Sequence, residues 1–279
     1  MLRWLSLELT GRCQLRCTHC YADSSPLGTS GTMTTDDWSR VIDQAADHGV
    51  EEVQFIGGEP TTHPAFARLV DHALSRDLAV EVYSNLVRIR DDLWRLFERN
   101  GVALATSYYS DRAMEHESIT GRTGSHAQTR SNITQAVRRG IPIRVAIIEG
   151  HHGRRTRQTR IELAGLGVSE ITVHRVRRIG RAGAYGRPEV AQLCGRCGWD
   201  RLAIGADGEV WPCTLARSAS LGDVRKRSLE SLHNAARTIA VRRVSGAGEG
   251  ACAPSGETDS PDRIPIHGAT DPKPLRPSP

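Results

Sequence analysis

Cys13-Gln-Leu-Arg-Cys17-Thr-His-Cys20 places three thiols at spacings of four and three residues in one short run. Thiolates converging from a tight loop are what an iron–sulfur cubane needs. Three of them around a [4Fe–4S] unit leave one iron open to a ligand bearing amine and carboxylate groups. A zinc knuckle completed by His19 or by a distant cysteine fits the same spacing, although structural zinc more usually pairs two CxxC-type knuckles or histidines. A second group follows in Cys194-Gly-Arg-Cys197 and in Cys213, which closes Gly208-Glu-Val-Trp-Pro-Cys213. A CxxC joined by a third cysteine across a hairpin is again a metal-ligand pattern, for zinc or for an iron–sulfur cluster. Cys252 stands alone. Seven cysteines, an odd number, argue against a disulfide framework in a cytoplasmic chain and for metal or catalytic use.

Between the two groups lies Phe55-Ile56-Gly57-Gly58-Glu59-Pro60. Two glycines let a backbone approach a ligand closely, and Glu59 offers an acceptor to an ammonium group.

These residues need elements to hold them. Strand-like runs occur at Leu5–Leu9, Glu52–Ile56, Ala79–Tyr83, Val102–Ser107, Ile143–Ile148 and Glu170–His174. Helical patterns alternate with them. Thr34 caps one that Gly49 closes, and others run about 64–76, 91–100, 126–139 and 156–165. Six strands alternating with helices predict parallel βαβ units, in a partial barrel or an open doubly wound sheet. Either way, ligand chemistry belongs at the C-terminal ends of the strands. The texture changes after about residue 188. Ala203–Trp211 reads as a hairpin with an Asp207-Gly208 turn, and a short helix follows around Leu229–Ala240. From Ser245 to Pro279 large apolar residues are almost absent, which predicts a disordered tail.

A hydrophobic fraction of 38% supports a core, and no apolar run approaches the roughly 20 residues of a membrane helix. Without a signal-peptide pattern at the start, the expected location is the cytoplasm, away from membranes. The net charge of +5 is carried almost wholly by arginine, since Lys226 and Lys273 are the only lysines. Nucleic-acid binding is not expected. The basic stretch Arg138–Arg187, with Arg154, Arg155, Arg157 and Arg160, reads as solvated surface or as a docking face for an acidic partner.

CxxxCxxC after a first strand, with His19 in the aromatic-type position before the last cysteine and GGEP after the second strand, resembles the signature of the radical SAM superfamily. The resemblance covers about residues 5–180. It implies an α/β fold, a partial (β/α)6 barrel, and a [4Fe–4S] cluster on Cys13, Cys17 and Cys20. It also implies S-adenosylmethionine (SAM) with its methionine amine at Gly57, Gly58, Glu59 and Pro60. Ser84 and Asn85 resemble the ribose-contacting residues, Ser107 one that holds the SAM carboxylate, and Arg130 is a further carboxylate partner. The implied mechanism is electron transfer from the reduced cluster to SAM, homolysis of a carbon–sulfur bond, and hydrogen abstraction by the 5′-deoxyadenosyl radical.

The second cysteine group, the hairpin, Leu221–Val224 and the following helix resemble the start of a SPASM/Twitch auxiliary domain. This implies one auxiliary [4Fe–4S] cluster on Cys194, Cys197 and Cys213, with Cys252 as fourth ligand or as a free thiol. The domain reading is thus a core at 1–188, a small cysteine-rich hairpin and helix domain at 189–244, and the tail at 245–279. Ser107-Tyr-Tyr-Ser110, His116 and Gly121-Arg122 look like peptide-modifying members. The expected activity is radical modification of a ribosomally made precursor peptide, with a flavodoxin- or ferredoxin-type electron donor. A dehydrogenase or epimerase acting on a small molecule is the alternative. An iron–sulfur electron carrier or zinc scaffold would have no use for a GGEP loop.

Overall fold

The structure is a computed structural model and describes residues 1–149, 155–183, 193 and 197–246, with side chains to Thr238. Cys194, Cys252 and the expected tail beyond residue 246 lie outside the described residues.

The first two helices form where an apolar stripe can be buried. Helix α1 (Thr35–Asp47) starts at a capping box in which Asp37 N donates to Thr34 Oγ1 (3.1 Å) and Thr34 N to Asp37 Oδ2 (2.9 Å). Its buried residues Trp38, Val41, Ile42 and Ala45 repeat at helical spacing. Helix α2 (Phe66–Ser75) buries Phe66, Leu69, Val70 and Ala73 in the same way. Then come α3 (Asp91–Phe97), α4 (Ala113–Thr120), α5 (Ser125–Arg138), α6 (Thr156–Gly165) and α7 (Leu229–Gly246). No described helix is long and apolar enough to cross a membrane.

Strands β1 (Trp4–Glu8), β2 (Glu52–Ile56), β3 (Ala79–Tyr83), β4 (Val102–Tyr108), β5 (Ile143–Glu149) and β6 (Glu170–Arg175) lie side by side in sequence order, each parallel to the next. Alternation sends Leu5, Leu7, Val53, Phe55, Val80, Val82 and Leu104 into the core under the helices. The opposite face is polar. There Ser6 Oγ donates to Gln54 Oε1 (3.0 Å), Gln54 Nε2 to Glu81 Oε1 (2.5 Å), and Arg144 Nε and Nη2 to Glu81 Oε2 and Oε1 (2.6 and 2.7 Å). Arg144 of β5 reaches Glu81 of β3 across β4 because β4 presents only Ala103 and Ala105 at those levels.

The hairpin expected in the small domain makes no sheet of its own. Strand β7 (Arg201–Ile204) pairs in parallel with β1 on the side away from β2, and β8 (Glu209–Trp211) and β9 (Gly222–Asp223) follow antiparallel. One nine-stranded sheet, ordered β6-β5-β4-β3-β2-β1-β7-β8-β9, therefore runs through both cysteine regions.

Candidate functional site

The cysteine loop leaves the C-terminal end of β1 and is pinned by backbone from three directions. Cys13 N donates to Ser25 O (3.0 Å), Arg16 N to Thr120 O (3.0 Å) and Thr18 N to Ile119 O (2.9 Å). On the third side the strip after β2 lies flat against it: Gly58 N donates to Thr10 O (2.6 Å) and Glu59 N to Arg12 O (2.8 Å). A Cβ on Gly57, whose φ is +139°, would stand 2.6 Å from Thr10 O, and one on Gly58 would stand 2.3 Å from Arg12 O. The two glycines thus serve first to seat the GGEP strip on the cysteine loop.

Glu59 is fully buried. Its Oε1 accepts from Thr61 Oγ1 (2.7 Å) and Ser84 Oγ (2.9 Å), and Oε2 from Asn85 N (2.8 Å). The sequence suggested an acceptor for an ammonium group; instead the carboxylate is spent fastening the end of β3 to the GGEP strip. Burial pushes its pKa up, against the pull of Thr61, Asn85 and Ser84. Asn85, so anchored, points its Nδ2 at Cys13 Sγ (3.5 Å).

Cys13, Cys17, Cys20, Gly57, Gly58, Ser84, Asn85 and Ser107 all line one cavity of about 970 Å³. Its inner wall includes Ser6, Gln54 and Arg144, so the six-stranded sheet curls around it. Ser107 Oγ lies 3.0 Å from Tyr83 Oη. Glu59 and Pro60 stand behind the wall. Arg130, expected near the cavity, pairs with Glu162 on α6 (2.7 Å) and is not on the cavity wall among the described residues. The reason is local: Glu162, held also by Tyr108 Oη (3.2 Å), offers a fixed carboxylate on the helix layer.

Burial raises Cys13 to about 12, with the Glu59 charge adding to it, and Cys17 to about 11, with Cys20 adding to it. The fold therefore does not keep bare thiolates there; coordination to a cationic centre is what would deprotonate them. Among the described residues no three His, Cys, Asp or Glu side chains close on a single ion. Thiols that ligate separate irons of a cubane have no need to. The donor set fits a cluster.

Sequence reading named His19 and the stretch holding Tyr109 but missed how they meet, and missed Arg217 altogether. Tyr109 packs edge-on against His19 (5.1 Å between ring centres), with its Oη 4.0 Å from Cys17 Sγ. Burial, then the Arg181 charge, lowers His19 to about 4, so it is neutral at pH 7. Arg217 stacks on Trp211 (4.7 Å) and Tyr21 (5.3 Å) and pairs with Glu8 at the end of β1, tying the hairpin region to the cysteine loop. The available signal was period-two alternation: Ser6, Glu8, Gln54 and Glu81 are polar residues set between apolar neighbours on their strands.

At the second cysteine group, Cys197 Sγ and Cys213 Sγ lie 3.5 Å apart, and Gly198 N donates to Pro212 O (3.2 Å). They flank the start of β7 and the end of β8, level with the start of β1, and Cys213 lines the same cavity. The donor chemistry of these two thiols suits an iron–sulfur centre.

Residues 7–164 match the family model of the radical SAM superfamily. The chain belongs to that superfamily. Residues 194–254 match an iron–sulfur cluster-binding domain, SPASM. The radical SAM domain implies a [4Fe–4S] cluster and SAM, and the SPASM domain implies auxiliary iron–sulfur clusters. Among curated proteins, the chain is 27% identical over 265 residues to the antilisterial bacteriocin subtilosin biosynthesis protein AlbA of Bacillus subtilis, covering 82% of this chain and 59% of that one. It is 33% identical over 126 residues to a PqqA peptide cyclase of Rhodopseudomonas palustris, covering 44% and 33%. Similarity to the mycofactocin maturase MftC of Mycobacterium tuberculosis is 33% over 147 residues, covering 51% and 37%. The chain thus spans from about a third to three-fifths of these relatives' lengths. Among solved structures, SuiB of Streptococcus suis superposes with a TM-score of 0.70 at 13% identity, over 88% of this chain and 68% of that one. That likeness is one of fold.

Proposed function

We propose that this chain is a radical SAM enzyme that modifies a ribosomally made precursor peptide by hydrogen abstraction. The observation that carries the reading is the meeting of Cys13, Cys17 and Cys20 with the GGEP strip at one end of a cavity of about 970 Å³. That volume is at the upper end of what small-molecule sites need, leaving room beside SAM for a substrate side chain. With cluster and SAM bound, the group supplied is a 5′-deoxyadenosyl radical. The chain's own residues bind, orient and enclose. Cys13, Cys17 and Cys20 hold the cluster, and the backbone at Gly57 and Gly58 faces the methionine amine. Ser84 and Asn85 face the ribose, and Ser107, braced by Tyr83, faces the carboxylate. Cys194, Cys197 and Cys213 hold the auxiliary cluster, with Cys252 as its fourth ligand or a free thiol. The core runs over 1–188 and the auxiliary region over 189–244.

The peptide part of the reading is supported by the relatives, whose names include peptide cyclase and maturase, and by SuiB, solved bound to the precursor peptide SuiA. The electron donor is a flavodoxin- or ferredoxin-type protein, and the reaction is placed in the cytoplasm. Anaerobic reconstitution with iron, sulfide and reductant, followed by SAM, tests it. The expected result is 5′-deoxyadenosine with roughly seven to eight irons bound. A small precursor peptide encoded nearby should increase the yield. Stoichiometric zinc with negligible iron and sulfide would overturn the reading.

A further inference from the structure

The cysteine loop exposes carbonyl oxygens as well as thiols, and one side chain collects them. Arg181 sits in the short 3₁₀ turn Gly180–Gly183 that follows β6. Its Nε donates to Cys17 O (2.7 Å), Nη2 to Ser24 O (2.7 Å) and Nη1 to Asp23 Oδ1 (2.7 Å), while its backbone N donates to Cys20 O (3.0 Å). Within the loop these bonds back up two turns, Cys20 N to Cys17 O and Asp23 N to Cys20 O, both 3.3 Å. The turn is seated flush: Gly180 has φ +59°, and a Cβ there would lie 2.3 Å from Cys20 O.

Strand order explains why such a fastening matters. β1 and β6 stand at opposite ends of the six-stranded run and share no ladder. Nothing in the sheet itself therefore connects the last barrel strand to the loop that follows the first. A guanidinium is a planar fork with donors at fixed angles, so it can fix three acceptors at once, which an ammonium on a flexible stem cannot. It also places a permanent positive charge beside Cys17. Asp23, the countercharge, is 74% exposed, so solvent screens its share of the pairing more than the cysteine's.

We propose that Arg181 is a positioning residue for the iron–sulfur site, latching the cysteine loop to the end of β6 and holding a fixed cation that favours the reduced form of a cluster bound there. Reduction adds negative charge, which a nearby cation stabilises. The proposal rests on the radical SAM reading of this site.

Two measurements on Arg181→Gln and Arg181→Lys test it. The first is an EPR-monitored redox titration of reconstituted protein, following the signal that changes shape on adding SAM. The second is amide hydrogen exchange of the segment 13–24, in both iron-loaded and iron-free protein. In Arg181→Gln the reduced fraction at a fixed potential should fall about tenfold, equivalent to ~59 mV for one electron. Exchange at the Cys20 and Asp23 amides should speed up. Arg181→Lys should bring the titration back towards the parent while exchange stays fast, because charge returns and the fork does not. A parental midpoint or parental exchange in Arg181→Gln overturns the proposal. If that variant takes up no iron, exchange in the iron-free protein decides: faster exchange supports the latch and unchanged exchange overturns it. If the parent itself shows no SAM-responsive signal, the functional reading fails, and the iron-free comparison still judges the latch.

Discussion

The two cysteine groups are assembled in opposite ways. Cys13, Cys17 and Cys20 lie close in sequence, yet the shape of their loop is set from far away, by Gly58 and Glu59, by Ile119 and Thr120, and by Arg181. Cys197 and Cys213 are 16 residues apart, yet local structure brings them together through the turn of the β7–β8 hairpin and the Gly198–Pro212 hydrogen bond. A compact motif can therefore depend on the whole barrel, while a dispersed one can depend on a single hairpin. The first is tuned by distant residues; the second is carried by its own strands and by β7 pairing with β1.

The largest effect that would sharpen this contrast is in Cys17→Ala. SAM cleavage to 5′-deoxyadenosine should vanish, while iron absorbance from the second site stays, because the hairpin does not need the first loop's ligands. Loss of both absorbances would break the contrast and show that the sites load together. Cys213→Ala should have a smaller effect. Iron content should fall by about one cluster, roughly four irons, and product formation at least tenfold, while uncoupled SAM cleavage continues. Product formed at the parental rate would make the second site structural only. The smallest effect is in Glu59→Gln. The Asn85 and Thr61 donors would then face an amide N–H₂ on one side, costing about 1–3 kcal/mol. Glu59 has its pKa raised in the folded protein, so its contribution to stability is full below the ordinary carboxylate value and is lost as pH rises through the folded value. Melting temperature should therefore fall with pH across that window in the parent and do so less steeply in Glu59→Gln. Equal slopes would mean Glu59 is ionised at no cost.

The barrel strands were legible because their apolar faces alternate under helices with clear stripes; β2 and β3 begin and end where the pattern places them. Helix α4 was not. Its buried residues are His116 and Thr120, four apart but polar, so the spacing was present without the apolarity that normally reveals it. His116, read from the sequence as part of a peptide-maturase-like pattern, is buried. It packs among Tyr108, Tyr109 and His126, and burial lowers its pKa to about 3. The thiols and the Gly-Gly pair could be read directly because their chemistry is in the residue type. Arg181 and Arg217 could not, because an arginine in a chain rich in arginine carries no mark of what it holds; only the strand order shows that one closes a gap between β6 and the loop after β1. Arg130 illustrates the same limit, since the choice between a ligand and Glu162 lies in tertiary placement.

The parallel register of β7 on β1, Trp4 opposite Arg201 through Leu7 opposite Ile204, has one more consequence. The first thiol group leaves from the far end of β1, and the second gathers near the end of β7 level with where β1 begins. The strand itself is therefore the spacer between them, about 17 Å for five residues. Because strands slip in steps that preserve side-chain facing, that spacing is graduated: a two-residue shift would move one group past the other by about 6.6 Å, with nothing between. The offset between the strand ends from which the two cysteine groups leave is thus a property of sheet pairing, copied faithfully each time the chain folds.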